Sequence, residues 1–292
     1  MEIVDAQIHR PDPLLTFDDV DGTTNARIGL EMNLSAMDAV GVDAAVIHSD
    51  ATYCELAARL YPHRFRGMVD LLDADVPDVD GAVARIKAAP GLVGFRLIPC
   101  YPADSPNIAR LKAGWYEPWF RAAERHDVPV VLFLWGHLPE AGKIAAAHPN
   151  LRLIVDHFGM APIPIAPLTP DRLDKLPELL ALSRFQNIAV KVTGVPVLSR
   201  ERYPFADLRE PLLRVIDAFG PDRLFWGSDY TRLMMAPDFS RATPVRTYGD
   251  VLALLKYSAD ISDDDRRKML GASLRRWYGW PAAVSTVEAA VS

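Results

Sequence analysis

Leu224-Phe225-Trp226-Gly227-Ser228-Asp229-Tyr230-Thr231 is an apolar run that ends in an acidic residue. Placed as the last strand of a closed barrel, it puts Asp229 at the mouth. Three other runs end the same way, Ile3 to His9, Leu92 to Arg96 and Leu151 to His157, each delivering polar or ionisable side chains where the apolar segment stops. In a parallel α/β barrel the strand C-termini converge on one face, where such enzymes do their chemistry.

Working outward, strand-like runs recur at Ile3–His9, Ala44–His48, Gly67–Leu72, Val93–Ile98, Val128–Trp135, Leu151–His157, Ile188–Thr193 and Leu224–Ser228. They are short and lack strict alternation, as expected of strands buried on both faces. Connections entering the strands are tight and carry breakers, for instance Ala89-Pro90-Gly91, His148-Pro149-Asn150 and Gly220-Pro221-Asp222. Connections leaving them are long and Pro-rich, such as Gly159 to Pro170 and Tyr230 to Thr243. Tight turns on one face and long loops on the other predict an α/β chain folded as a (β/α)8 TIM barrel, with its site on the loop side. A doubly wound open sheet also fits the alternation, but no glycine-rich phosphate loop follows the first strand. One domain is expected over 1–292, with additional C-terminal helices within about 244–278, and a small, polar tail, 282–292, that should fray.

The composition narrows the function. Half the residues are apolar, 24% are charged and the net charge is −6, with the two signs interspersed, which argues against a nucleic-acid surface. The most apolar run, Val128 to Trp135, is far too short to span a bilayer, and no basic segment followed by an apolar core opens the chain. Cys54 and Cys100 read as free thiols in a reducing compartment. A soluble cytoplasmic protein with a small-molecule partner is expected; nothing identifies a face for a homo-oligomer.

Gln7 and His9 are two apart in a strand and point to the same side. Asp156 and His157 are adjacent, so regular pleating sends only one of them to the mouth. Asp229 ends the eighth strand, next to the first in a closed barrel and hence near His9. Arg96 and Lys191 are cations inside apolar strands, where an unpaired charge is expensive. They either pair within the barrel or hold an anionic substrate, and the planar fork of Arg96 suits a carboxylate. His48, Asp50, Asp70 and Asp73 also lie near strand ends and read as supporting or solvated groups. His137 is a further mouth candidate, whereas His63, His126 and His148 read as structural. Cys100 follows a strand end, but packing is its simpler role. Trp135 and Tyr230, with Tyr101, Trp115 and Tyr116, suit either an aromatic wall for a planar ligand or ordinary packing.

These residues together resemble the amidohydrolase superfamily, specifically its amidohydrolase-related branch of barrel hydrolases, lactonases and decarboxylases. The resemblance rests on Val4-Asp5-Ala6-Gln7-Ile8-His9, Gly94-Phe95-Arg96, Asp156-His157-Phe158-Gly159, Asn187 to Gly194 and Trp226-Gly227-Ser228-Asp229, and spans nearly the whole chain. The family's usual metal site takes a His-x-His pair from the first strand, histidines from the fifth and sixth, and an aspartate from the eighth. Here Gln7 stands at the first histidine and Phe133 at the fifth-strand one, so His9, His157 and Asp229 are the matching ligands for any divalent metal such as zinc. The branch resembling pyrone-dicarboxylate lactonases works without a divalent metal, which implies a site with no cofactor. The resemblance implies hydrolysis of a small carboxylated lactone or ring ester: Asp229 activates water, His157 and His9 stabilise the carbonyl oxygen, and Arg96, Gln7, Lys191, Trp135 and Tyr230 bind substrate. Decarboxylation of an aromatic or unsaturated acid, and an inactive ligand-binding barrel, are the alternatives.

Overall fold

The computed structural model describes residues 1–11, 23–72, 74–101, 106–160, 172–233 and 246–281. The expected reading of Asp73 and of the tail 282–292 lies outside these residues. Eight parallel strands follow in chain order: β1 (Val4–His9), β2 (Ala44–Ser49), β3 (Phe65–Leu71), β4 (Leu92–Leu97), β5 (Val130–Leu132), β6 (Leu153–Val155), β7 (Ile188–Thr193) and β8 (Leu224–Gly227). Each pairs with the next in parallel, and helices fill the connections, as a TIM barrel requires.

Period-2 alternation sorts the strand residues into two cores. Val46, Met68, Val131, Ile154 and Phe225 pack against one another in the lumen. Their neighbours Ile47, Val69, Leu132, Val155 and Trp226 face the helices and join a larger outer core. Two strands are shorter than the apolar runs suggest. Burial continues through Phe133, Leu134, Asp156 and His157, but the ladder stops at Leu132 and Val155 because the chain turns over the barrel rim there. Apolar length thus marks burial, not pairing.

The seam between β8 and β1 is closed in a different way from the other seven. The Asp229 N–H donates to the Gln7 carbonyl at 2.9 Å. The Asp5 carboxylate supplies the next link: its Oδ1 accepts from the Ser228 N–H at 2.8 Å and the Gln7 N–H at 2.9 Å. The β1–β2 register slips between Asp5 and Ile8. This bulge re-aims the strand end, lifting Gln7 and His9 above Ala6 in the lumen.

The C-terminal segment closes the opposite end. After helix Tyr248–Lys256, a nearly continuous helical stretch from Asp263 to Tyr278 runs under the barrel. Tyr278 packs on Phe225 with ring centres 6.0 Å apart, and Trp280 lies beneath the guanidinium groups of Arg275 and Arg66. No described helix is long and apolar enough to cross a membrane.

Candidate active site

Every strand contributes a side chain to one polar layer above the apolar lumen: Gln7 and His9 from β1, His48 from β2, Asp70 from β3, Arg96 from β4, Phe133 just past β5, Asp156 and His157 past β6, Lys191 from β7 and Asp229 past β8. Strand parity explains most of it, since His48, Asp70, Arg96, Lys191 and Asp229 lie two or four residues beyond lumen-facing Val46, Met68, Gly94, Ala189 and Phe225. His157, Phe158 and Asp229 adopt left-handed backbone conformations, with φ of 48°, 57° and 54°. Three such non-glycine residues at one rim are a form of local strain that concentrates at functional sites.

The layer divides into a lower and an upper part. Below, Lys191 Nζ lies 3.0 Å from Asp156 Oδ1 and 3.2 Å from His48 Nε2, and donates to Gln7 Oε1. Arg96 pairs with the other Asp156 oxygen at 2.6 Å, and its second arm lies 3.8 Å from Asp70. Above, the Gln7 amide nitrogen sits 3.2 Å from His9 Nε2, 3.2 Å from His157 Nε2 and 3.4 Å from Asp229 Oδ1. His9 Nε2 is itself 3.1 Å from Asp229 Oδ1, and its Nδ1 is 2.9 Å from the His48 carbonyl. That carbonyl accepts only a proton, so it fixes one on Nδ1 and turns Nε2 toward Gln7 and Asp229. The amide orientation follows from the same logic, because a reversed Gln7 would set its NH₂ against an ammonium.

Burial and neighbouring charges then decide protonation. Burial works against the Asp156 carboxylate, but the charge of Arg96, with help from His157 and Lys191, holds it well below the usual range. Burial also opposes charge on Asp229, yet its bond with His9 and the nearby His157 and Arg96 bring the carboxyl below its ordinary value. For His48, burial followed by the Lys191 charge lowers the imidazole to about 3. His157 is lowered by burial although Asp156 and Asp229 oppose this. A neutral His157 whose Nε2 faces Gln7 and, at 3.4 Å, Arg96 is an acceptor from both. Among the described residues, no group of three or more His, Cys, Asp and Glu side chains is placed to hold a metal ion.

A family model for amidohydrolases matches residues 4–280. The chain belongs to this family. Among its relatives, an L-fucono-1,5-lactonase of Burkholderia ambifaria is 29% identical over 219 residues, covering 73% of this chain and 69% of that protein. Two crystal structures share the fold. One is an amidohydrolase of Burkholderia multivorans with bound HEPES, with a TM-score of 0.71 and 20% identity over 96% of this chain and 100% of the other. The second is a probable 2-pyrone-4,6-dicarboxylic acid hydrolase of Acinetobacter baumannii with citric acid bound, with a TM-score of 0.64 and 16% identity over the same shares.

In this amidohydrolase the structure brings together six of the eight residues singled out in the sequence: Gln7, His9, Arg96, His157, Lys191 and Asp229. Trp135 and Tyr230 do not join the hydrogen-bonded layer. Trp135 occupies the turn after β5, half-buried. Tyr230 stacks on Tyr248 with ring centres 4.3 Å apart and donates its hydroxyl to Asn33. The expectation that only one of Asp156 and His157 faces the mouth is corrected. Asp156 keeps the inward parity of Ile154, and the left-handed turn at His157 brings the next side chain inward as well. Two residues read as merely supporting, His48 and Asp70, are integral to the layer, and their inward parity was the available signal. Burial pushes the Cys100 thiol up to about 11, where it stays protonated and weakly nucleophilic. His137 instead precedes helix Leu138–Ala147 on the rim.

Proposed function

We propose that this amidohydrolase is a lactonase that opens a small, uncharged lactone such as an aldonic-acid 1,5-lactone. The observation that carries the reading is the Asp229 carboxylate, held ionised at the barrel mouth and 3.1 Å from His9 Nε2. The similarity to an L-fucono-1,5-lactonase supports it.

In this reaction water attacks the lactone carbonyl as Asp229 takes its proton. The tetrahedral oxyanion forms beside the Arg96 guanidinium. The ring C–O bond then breaks, and the departing alkoxide receives the proton from Asp229 by way of His9, leaving a hydroxy acid. His157, an acceptor from Gln7 and Arg96, orients those groups and does not donate to the oxyanion.

Charge balance argues for an uncharged substrate. Arg96 and Lys191 face three carboxylates, Asp70, Asp156 and Asp229, and both cations are already within 4 Å of one. A dicarboxylate would enter a layer with no spare positive charge among its described members, and an unpaired buried charge is costly.

The test is a panel of sugar lactones and carboxylated pyrones. Turnover should favour the sugar lactones, and Asp229→Asn should lower kcat/KM by roughly 10²–10⁴-fold at unchanged thermal stability. Undiminished activity in that variant removes Asp229 from the mechanism, and a preference for the pyrone diacids overturns the substrate class.

A further inference from the structure

The Gln7 side chain stands where the resemblance places the first metal-binding histidine, and its geometry is that of an occupant. Its amide nitrogen lies at the point on which His9 Nε2, His157 Nε2 and Asp229 Oδ1 converge, at 3.2, 3.2 and 3.4 Å. The contacts to His157 Nε2 and Asp229 Oδ1 are N–H contacts to lone pairs. Zinc in the same place would need the donors at about 2.0–2.2 Å, and a neutral amide nitrogen is not a ligand. Gln7 is fully buried, and its Oε1 is held by the Lys191 ammonium, itself fully buried. Displacing the amide therefore breaks a buried charged hydrogen bond. The donor set as it stands does not fit a divalent metal.

We infer that the Gln7 amide, anchored by Lys191, replaces the metal as the positioning centre of this site, its two N–H groups holding His157 and Asp229 in the arrangement a metal would otherwise impose. The inference rests on the lactonase reading only for the role of Asp229. Its physical content is that the site has been made cation-excluding by one amide, which one ammonium holds in place. Lys191 polarises the amide by binding its oxygen, which strengthens the N–H donors on the other side. The two amide protons then serve His157 and Asp229, and His9 keeps the freedom to exchange a proton with Asp229.

The deciding measurement is zinc content, which a merely structural role for Gln7 would not alter. The purified protein is incubated with zinc chloride, dialysed and analysed for metal, alongside Gln7→His. The unaltered chain should retain essentially none. Gln7→His, which puts a second imidazole on the first strand and removes the amide that Lys191 anchors, leaving Lys191 to Asp156, should retain about one zinc per chain. Near-stoichiometric zinc in the unaltered protein, lost in His157→Ala, overturns the inference. So does a folded Gln7→His, judged by circular dichroism, that still excludes zinc. If that variant fails to fold, the unaltered protein decides alone, by isothermal titration with zinc: no heat of site binding supports the inference, and a one-site isotherm ends it. A failed lactone panel would remove the proposed reaction without touching the zinc result.

Discussion

The ammonium of Lys191 has no solvent contact and depends entirely on Asp156 at 3.0 Å, Gln7 and His48. Burial lowers its pKa despite Asp156, the mark of a charge whose environment is only partly compensating. Removing one partner of such a pair typically costs about 3–5 kcal/mol, because the other is left buried without its counter-charge. Lys191→Met should therefore destabilise the protein by about that amount in urea unfolding. A loss well under 1 kcal/mol would mean that Arg96 alone satisfies Asp156. The same variant frees the Gln7 oxygen, so it tests the lower layer and the upper one through a single side chain.

At the scale of the element, the β8–β1 seam turns on Asp5. Burial is the largest influence on its carboxyl and, against the bonds from Ser228 and Gln7, raises it to about 6. The folded chain thus holds this proton more tightly than the unfolded chain does. The contribution is complete below the ordinary value of 3.8 and is lost as pH rises through about 6. A shift of this size corresponds to roughly 3 kcal/mol. Asp5→Asn keeps an oxygen for the Ser228 and Gln7 N–H groups but cannot ionise. The stability of the unaltered protein relative to this variant should therefore fall between pH 4 and pH 7 in urea unfolding. A difference independent of pH would show that Asp5 does not titrate within the seam.

Across the whole molecule the polar layer sets the response to acid. His48 is lowered to about 3, so between its ordinary value of 6.5 and 3 the unfolded chain binds a proton that the folded chain refuses, and stability falls as pH falls. Asp70 follows lower down: burial opposes its charge, but Arg96 and His48 bring it to about 2, so its contribution is lost between about 4 and 2. His157 and Asp156 act in the same direction. Together they outweigh Asp5, whose effect has the opposite sign. Between pH 7 and pH 4 the His48 loss is largely offset by the Asp5 gain, so the urea midpoint should drop chiefly from pH 4 to pH 2, where Asp70 and Asp156 lose their contributions. A midpoint as high at pH 2 as at pH 4 would mean that the layer opens to solvent before the fold is lost.

The sequence by itself determined the barrel, because eight apolar runs with tight turns before them and long loops after them admit few other packings. It also determined that Arg96, Lys191 and Asp229 gather at one end, since inward parity two or four residues past a lumen position is a local property of a strand, and that Gln7 and His9 share a side. The tertiary structure decided what breaks that period. Asp156 and His157 both enter the layer because His157 turns left-handed, and Gln7 rises above Ala6 because a bulge at Asp5 closes the seam. Neither conformation is favoured by its own residues; each persists only where bonds from other strands hold it. The pairing of Lys191 with Asp156 and Gln7 was likewise invisible, because 35 and 184 residues of chain separate partners that only barrel closure brings within 4 Å.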